Sequence, residues 1–391
     1  MAEQRKVVTA VPENSETPLD SVRSWVTPTR LFFVRNHFDV PALDLAAWRL
    51  IVEGRVRTRR AWTWDELMDL PERTIFATVE CAGNGRSFLA EPQAGVQWGA
   101  GAVGHAEWTG VPLKLVLERS GLEADAVEVL FEGADVGAEP DHPEPMPFQR
   151  SLPLAKALDA DTLLVTRMNG EPLEPNHGWP LRLFVPGWYG VASVKWLTRV
   201  EVIDRPFRGY FQSVKYTVQR PTADGLATEV VGPMMVKAEV IRPRAGDTLG
   251  LGTNRVFGVA WAGQEAVARV EVSTDGGRTW ADAELLGPRA PYSWALWEYF
   301  WEAGAPGTHQ LLARATSASG QVQPAEHDPL NGGYLIHHSR PLGVRVKAAR
   351  RVAAPPAADV EALLYDMNAY AEENFRRPLD VALEFAGGEG I

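Results

Sequence analysis

Cysteine is nearly absent from this chain, which has one, Cys81, in 391 residues. A single cysteine excludes an intrachain disulfide, and it excludes zinc, iron–sulfur and C-x-x-C-H haem sites that need paired cysteines. Apolar stretches long enough to span a membrane are also absent, and the first 20 residues lack the apolar core of a signal peptide and a twin-arginine pair. We therefore predict a cytoplasmic protein that is held together by packing alone.

Positive charge is in deficit, because 39 Lys and Arg residues face 50 Asp and Glu residues, for a formal net charge of -11. Nucleic acids and anionic membranes attract basic surfaces, so broad binding to either is not expected, although a local basic pocket is compatible with this balance. Hydrophobic residues, by contrast, make up 45% of the chain. That content and the length predict a substantial core and two or three domains.

The distribution of apolar runs divides the chain into four segments. Residues 1–22 are polar and contain prolines, so we expect a mobile or surface-wrapping arm, with order beginning near Trp25. In residues 23–220, short apolar runs alternate with helical patterns such as TWDELMDL and PLKLVLERSG, which predicts a mixed α+β domain. Residues 221–348 contain short strands and turn signals, including a DGG hairpin tip, as is typical of an immunoglobulin-like sandwich. Residues 349–391 predict a helical extension capped by Asp359.

Cys81 lies in the segment FATVECAGNGRSFL, where an alternating, strand-like run ends in a glycine-rich turn beside Arg86. Three interpretations fit these residues: a buried inert thiol, a nucleophile, or a soft anionic ligand of one metal. No histidine lies nearby in sequence to activate a nucleophile, and a neighbouring cation favours a thiolate. The local sequence does not decide among these three interpretations.

A G-x-G-x-x-G motif at residues 99–104 lacks the helix that a dinucleotide site requires directly after it, so we predict a loop there. Two other segments concentrate cationic and polar side chains. FFVRNH places Arg35 and His37 on one side of an extended segment. The stretch NHGWPLRLFVPGWYGVASVKW contributes His177, Arg182, Ser193 and Lys195. Together these segments favour an anion-binding site.

In chain order, the segments FFVRNH, CAGNGR, GVQWGAGAVGHAEWTGV and MNGEPLEPNHGWPLRLFVPGWYGVASVKWL resemble signature segments of the sulfite oxidase family of molybdenum-pterin enzymes. The similarity extends over about residues 25–345. It implies the sulfite-oxidase fold, an α+β molybdopterin-binding domain followed by an immunoglobulin-like dimerisation domain. It also implies a molybdenum–molybdopterin cofactor and a homodimer. No segment resembles the haem domain of the animal enzymes, so we expect no haem and an external electron acceptor, either a carrier protein or oxygen.

The resemblance also implies roles for individual residues. Cys81 would supply the thiolate that binds molybdenum alongside the pterin dithiolene. The positions that would hold the pterin and its phosphate are Phe33, Val34, Arg35, Asn36, His37, Asp135, His177, Arg182, Ser193, Val194 and Lys195. The positions that would form the substrate pocket are Arg35, Arg86, Trp98 and Tyr216. The implied reaction is oxidation of the small oxyanion sulfite to sulfate by oxo transfer.

Two positions depart from the family pattern. Gly85 stands where the motif C-A-G-N-R-R has an arginine, and residues 329–334, PLNGGY, lack the arginine of a W-N-x-R-G-like segment. The missing sandwich arginine supports an alternative, a reductase of nitrate or of an S-oxide on the same scaffold. A second alternative is a non-catalytic binding protein with a degenerate cofactor domain.

Overall fold

Strands make up most of the regular structure, and the computed structural model describes residues 4–348. The predicted C-terminal helix therefore lies outside the described residues. The strands before residue 231 are β1 (Lys6–Thr9), β2 (Asn14–Glu16), β3 (Val34–Arg35), β4 (Leu50–Gly54), β5 (Arg60–Trp62), β6 (Arg73–Glu80), β7 (Val103–Pro112), β8 (Glu128–Glu139), β9 (His142–Pro153), β10 (Leu163–Met168), β11 (Glu171–Pro172), β12 (Arg182–Phe184), β13 (Leu197–Ile203), β14 (Thr217–Thr222) and β15 (Gly225–Val230). Those after it are β16 (Lys237–Arg242), β17 (Thr248–Gly250), β18 (Gly252–Trp261), β19 (Val267–Ser273), β20 (Ala281–Asp282), β21 (Glu284–Leu286), β22 (Ala295–Ala303), β23 (Gly307–Ser317) and β24 (Leu342–Lys347).

The α-helices of the described residues are short, and two of the three lie where the sequence predicts them. They are α1 (Trp64–Met68), α2 (Leu113–Ser120) and α3 (Leu154–Ala157). α1 begins with a reciprocal capping box, in which the Thr63 side chain accepts from the Glu66 amide and the Glu66 carboxylate accepts from the Thr63 amide. The remaining helical turns are 3-10 helices at Leu19–Ser21, Thr29–Leu31, Arg86–Phe88, Pro175–His177, Gly190–Ala192 and Pro329–Asn331, and a π-helix at Tyr210–Val214.

Two five-stranded sheets pack against each other in the first part of the chain. One has the order β11-β10-β7-β6 with β12 also paired to β10, and the other has the order β5-β4-β13-β8-β9. Neighbouring strands are antiparallel except β4 and β13, which run parallel. The G-x-G-x-x-G motif enters strand β7 at Val103 rather than a helix. Apolar residues from both sheets, including Leu50, Phe131 and Leu183, form the largest core cluster.

The N-terminal segment is ordered earlier than the sequence predicts. Strands β1, β2 and β3 form a small antiparallel sheet, so regular structure begins at Lys6 rather than near Trp25. The side chains of Asn14, Ser15 and Glu16 are buried. A polar composition suggested a mobile or surface-wrapping arm, but Asn14 Oδ1 accepts from Arg35 and from the Asn36 amide, and Glu13 accepts from Asn176.

The last strands form the predicted sandwich. Its sheets have the orders β16-β18-β22-β21 and β17-β24-β23-β19-β20, and a buried apolar cluster that includes Val256, Val270 and Trp297 lies between them. The DGG sequence lies in the connection from β19 to β20, and both of its glycines have positive φ. The first strand of this sandwich begins at Lys237, close to the turn that contains Cys81.

Candidate functional site

A cavity with an empty volume of about 690 Å³, including space open to solvent, lies where several segments of the two five-stranded sheets converge. Its walls come from β3, the end of β6, β8, β9, the start of β12 and the segment 190–196. The residues that line it are Phe32, Phe33, Val34, Arg35, His37, Val79, Cys81, Asp135, Phe148, Asn176, His177, Arg182, Gly190, Val191, Ser193, Lys195, Trp196 and Tyr216. The cavity therefore combines one thiol, several cations and an apolar wall.

The Cys81 turn begins directly after strand β6. The Cys81 amide donates to the Ala102 carbonyl at 2.9 Å, and the Asn84 amide donates back to the Cys81 carbonyl at 2.9 Å. A Cβ atom at Gly83 would lie 2.3 Å from Arg86 Nη2, so the turn needs glycine there. These contacts fix the backbone on both sides of a buried thiol that faces the cavity.

Positive charge is concentrated on one wall of the cavity, where Arg182 and Lys195 lie. The Lys195 ammonium donates to the Asn176 carbonyl at 2.9 Å and to the Asn36 side chain. Burial and the neighbouring Arg182 hold the pKa of Lys195 well below its usual value, and burial lowers the pKa of Arg182 to about 10. Burial also raises the pKa of Asp135 to about 6, despite the nearby Lys195. The wall would be stabilised by a bound anion.

Three polar atoms on the cavity wall have no hydrogen-bond partner within residues 4–348. They are Asp135 Oδ1, His177 Nε2 and Arg182 Nε, and all three are buried. Buried donors and acceptors in proteins are almost always paired, so such a group of unpaired atoms indicates a polar ligand. Because burial lowers the pKa of His177 to about 3, its ring is neutral and can either donate or accept one hydrogen bond at Nε2.

His37 and Tyr216 form a pair on the wall nearest Arg35. Their atoms Nε2 and Oη are 2.7 Å apart. Burial, followed by the charge of Arg35, holds the pKa of His37 well below its usual value, and burial raises the pKa of Tyr216. A neutral histidine and a protonated phenol therefore meet at this end of the cavity. Tyr216 has a φ of 54°, and its carbonyl accepts from the Val231 amide at 2.8 Å.

The structure brings most of the sequence-predicted site residues to one cavity, from five separate stretches of chain. Those on its wall are Phe33, Val34, Arg35, His37, Cys81, Asp135, His177, Arg182, Ser193, Lys195 and Tyr216. Asn36 and Val194 lie behind the wall. The Asn36 side chain contacts Asn176 and Lys195, and Val194 is fully buried in the core.

Arg86 and Trp98, the other two predicted substrate-pocket residues, are not among the residues that line this cavity. Arg86 Nε and Nη2 both donate to the Gly333 carbonyl, at 3.0 and 2.8 Å, and Nη1 donates to the Val96 carbonyl at 2.9 Å. Its guanidinium also lies over the Tyr334 ring, 5.3 Å from the centroid. Trp98 is fully buried in the same apolar cluster as Cys81. Arg86 therefore connects the Cys81 turn to two other loops, and its charge acts on Tyr216, which lines the cavity.

Sequence reasoning missed several wall residues. Asn176 directly precedes His177 in a segment already singled out, so its position could have been found. The apolar wall residues Phe32, Val79, Gly190, Val191 and Trp196 also lie in the segments quoted above, but their residue types do not separate them from ordinary core positions. Phe148 lies outside those segments.

Within residues 4–348, no group of three or more His, Cys, Asp or Glu side chains is arranged to hold a metal ion. None of the helices in the described part of the chain is both long and apolar enough to cross a membrane.

The fold and the cavity define a class of protein: an α+β domain that encloses a cationic cofactor site with one thiol, followed by a β-sandwich. Residues 37–211 match the family model of the oxidoreductase molybdopterin binding domain, and residues 229–330 match the Mo-co oxidoreductase dimerisation domain. The chain belongs to the sulfite oxidase family. This confirms the resemblance and the predicted fold class.

Two relatives and one solved structure illustrate the similarity. Sulfite oxidase of Gallus gallus is 36% identical over 338 residues, which cover 82% of this chain and 72% of that protein. The mitochondrial sulfite oxidase of Homo sapiens is 35% identical over 346 residues, which cover 83% of this chain and 62% of that protein. The sulfane dehydrogenase SoxCD from Paracoccus pantotrophus has a TM-score of 0.77 at 28% identity, covering 87% of each chain. This chain spans 58% of the length of the mitochondrial sulfite oxidase of Drosophila melanogaster.

The residues that line the cavity fit a molybdopterin cofactor. Arg182 and Lys195 supply the charge that a phosphate needs, and the unpaired atoms of Asp135 and His177 supply hydrogen-bonding partners for the edge of a pterin ring. The Cys81 sulfur faces the cavity and would be a soft ligand for a metal bound there.

Proposed function

We propose that this protein is a molybdenum-cofactor enzyme that oxidises sulfite to sulfate. The observation that carries the proposal is the single cavity in which Cys81 shares a wall with Arg35, Arg182 and Lys195. In the overall reaction sulfite gains one oxygen atom from water and loses two electrons, and the water releases two protons. When bound, the molybdenum centre would supply oxygen-atom transfer and take up the electron pair.

The protein's own groups bind and orient the anion. Arg35 neutralises part of the charge of sulfite at the end of the cavity that also holds Tyr216. Tyr216 keeps its proton at neutral pH, because burial raises its pKa, so its hydroxyl can donate a hydrogen bond to an oxyanion. The neutral His37, 2.7 Å from that hydroxyl, fixes its direction.

The sandwich would form the contact between two copies in a homodimer, and the match to a dimerisation domain supports this. We propose a boundary between the two domains near residue 220, inside the β14–β15 hairpin. We also propose that the protein is cytoplasmic. Electrons would leave to an external acceptor, either a small carrier protein or oxygen. The proposed reaction in the cavity does not need a haem.

A reductive reaction on the same scaffold is the second candidate. The NADH nitrate reductase of Solanum lycopersicum is 31% identical, covering 80% of this chain and 38% of that protein. Residues 329–334 also lack the arginine that family sulfite oxidases carry there. The likeness to a sulfane dehydrogenase adds reduced sulfur compounds to the substrates worth testing.

Steady-state assays on the cofactor-loaded full-length protein test the proposal. We expect turnover with sulfite and ferricyanide, and much slower turnover with thiosulfate. Nitrate and methionine sulfoxide, each offered with a reduced dye, should be poor substrates. Faster reduction of nitrate than oxidation of sulfite would favour the second candidate. Protein that purifies from a molybdenum-replete host without the metal would point instead to a non-catalytic binding protein.

Replacing Cys81 by serine separates ligation from packing. Serine is close to cysteine in size and the turn is held by backbone hydrogen bonds, so Cys81→Ser should fold with a melting temperature near that of the wild type. It should lose sulfite oxidation by at least about 10³-fold, because an alcohol is a poor ligand where a thiolate is needed. Metal analysis and turnover of the same preparation provide the measurement. Unchanged turnover would rule out ligation by Cys81.

A further inference from the structure

A buried ion pair joins the sandwich to the strand that ends at Cys81. Lys237 Nζ lies 3.0 Å from Glu80 Oε1, and the two side chains are only 1% and 2% exposed. Lys237 is the first residue of β16 in the sandwich, and Glu80 is the last residue of β6, directly before Cys81. The pair therefore connects two distant parts of the sequence at the base of the candidate metal ligand.

Both oxygens of the Glu80 carboxylate are occupied. Trp261 Nε1 donates to Oε2 at 2.9 Å, while Asn84 Nδ2 donates to Oε1 at 3.0 Å. Lys237 and Trp261 are cross-strand partners in β16 and β18, so the sandwich presents two donors side by side to one carboxylate. Such a fully hydrogen-bonded buried charge has a single favourable geometry.

Asn84 carries this network into the Cys81 turn. Its carbonyl lies 3.4 Å from Lys237 Nζ, its amide donates to the Cys81 carbonyl, and its Oδ1 accepts from the Ala102 amide at 3.0 Å. Ala102 also accepts from the Cys81 amide. Every backbone group that orients Cys81 is thus within one or two hydrogen bonds of Lys237.

A second segment of the sandwich side contacts the same turn. The Leu335 amide donates to the Ala82 carbonyl at 2.9 Å, and the Gly333 carbonyl accepts both bonds from Arg86. The segment 80–86 is therefore held by Lys237, Trp261, Gly333 and Leu335, which all come from the C-terminal part of the described chain. Contacts with the residues that line the cavity therefore do not account alone for the position of this turn.

We propose that Lys237 is a positioning residue, through which the sandwich fixes Cys81 so that its thiol faces the cofactor cavity. A buried ion pair is seldom the most stabilising choice at a core position, since apolar side chains of similar size often serve as well. The network around Glu80 instead selects one arrangement of the turn. The inference rests on the proposed role of Cys81 as metal ligand, and it gives the sandwich a part in building the site in addition to its part in dimerisation.

The lone cysteine makes a direct test possible, because any thiol reactivity of this chain reports on Cys81 alone. The full-length protein, produced without cofactor, would be treated with iodoacetamide under native conditions. In Lys237→Met the uncompensated Glu80 charge should loosen the turn and raise the alkylation rate by roughly tenfold or more. The matched control is Arg314→Met, which removes a cation from the buried carboxylate of Glu271 in the same sandwich, away from the turn.

A compensating variant distinguishes positioning from general damage. Glu80→Gln with Lys237→Met removes both charges and leaves an amide oxygen for Asn84 or Trp261, so its alkylation rate should return toward that of the wild type. Equal rates in wild type and Lys237→Met would overturn the proposal. An equal increase in Arg314→Met would also overturn it, because the effect would then be one of global stability. If Lys237→Met does not fold, Trp261→Phe provides the same comparison with a milder loss, one donor to Glu80.

A second readout uses the loaded protein. Lys237→Met should lose bound molybdopterin several-fold faster than wild type during dialysis, whereas Arg314→Met should retain it. Pterin fluorescence after oxidation measures the retained cofactor whether or not sulfite is the substrate. Failure of the sulfite assay together with altered retention would therefore leave this inference intact. Unaltered retention in Lys237→Met would contradict it even if sulfite oxidation is confirmed.

Discussion

Arg35 and Arg86 have the same charge but opposite surroundings. Arg35 lines the cavity, where Nη1 donates to Asn14 Oδ1 at 3.2 Å and the guanidinium lies near Tyr216. Arg86 is committed to the carbonyls of Val96 and Gly333. Because a guanidinium already satisfied by carbonyls has little to offer a substrate anion, the two arginines should respond differently to substitution.

Substitution by glutamine tests that difference. Arg35→Gln should reduce kcat/KM for sulfite by about 10²-fold, the effect of removing one buried charge that faces an anion. Arg86→Gln should change kcat/KM by less than about tenfold, and it should lower the free energy of unfolding by about 2 kcal/mol, because two buried carbonyls lose their donors. Steady-state kinetics and urea unfolding of both variants provide the comparison, with Arg59→Gln as an exposed control. The reverse order of kinetic effects would show that Arg86 reaches the substrate.

The local backbone explains why residue 85 is glycine where the family motif has arginine. Its φ is 98°, a conformation that side-chain-bearing residues rarely adopt, and a Cβ there would lie 3.1 Å from Ile336 Cγ2. The arginine of the usual family motif would need a different turn or a displaced Ile336. The loss of that charge therefore accompanies close packing between the turn and the segment that follows residue 335.

At the scale of elements, strands β1 and β2, at residues 6–16, form an N-terminal hairpin that covers one side of the cavity. Asn14 Oδ1 accepts from the Asn36 amide at 3.0 Å as well as from Arg35, and β2 pairs with β3 along Asn14–Arg35 and Ser15–Val34. Glu13 Oε2 accepts from Asn176 Nδ2 at 2.8 Å. The hairpin thus makes hydrogen bonds from outside the cavity to two segments of its wall, one at residues 35–36 and one at residue 176.

Asn14→Ala should weaken these contacts. The Asn36 amide would lose its partner and Arg35 one acceptor, which should lower the free energy of unfolding by about 1–3 kcal/mol. Retention of molybdopterin through gel filtration should also fall relative to wild type. The matched control is Asn254→Ala, because the Asn254 side chain donates only to the nearby carbonyls of Gly250 and Gly252 in the sandwich. Equal retention in both variants would show that the hairpin does not support the cofactor site.

The sequence allowed prediction of those elements whose signals are local. The helices α1 and α2, the sandwich strands and the wall residues within contiguous motifs all belong to this group. The N-terminal hairpin was missed because its polar groups are paired with residues 35, 36 and 176, and composition does not contain such pairings. The contact between Arg86 and Gly333 could not be predicted, because the motif of Arg86 is local and its acceptor lies 247 residues away.

At the scale of the whole molecule, buried neutral histidines link stability to pH. His105 is fully buried between Trp25, Phe76 and Trp294, and burial lowers its pKa from 6.5 to about 3. Its Nδ1 pairs with Thr78 Oγ1 at 3.1 Å, and Nε2 has no partner among the described residues. The folded protein therefore binds a proton at this ring less readily than the unfolded chain does.

Because the pKa of His105 is lowered on folding, protonation of this residue at acidic pH should make the folded protein less stable. Its contribution to stability is fully present above pH 6.5 and is lost progressively as the pH falls toward 3, because protonation then favours the unfolded chain. Between pH 7 and pH 4 the wild-type protein should lose about 3 kcal/mol through this residue alone. His105→Gln should remove that part of the pH dependence while keeping a polar group near Thr78. Urea unfolding of cofactor-free protein at several pH values is the measurement, with His309→Gln, a partly exposed position in β23, as the control. Parallel stability curves for wild type and His105→Gln would contradict the assignment.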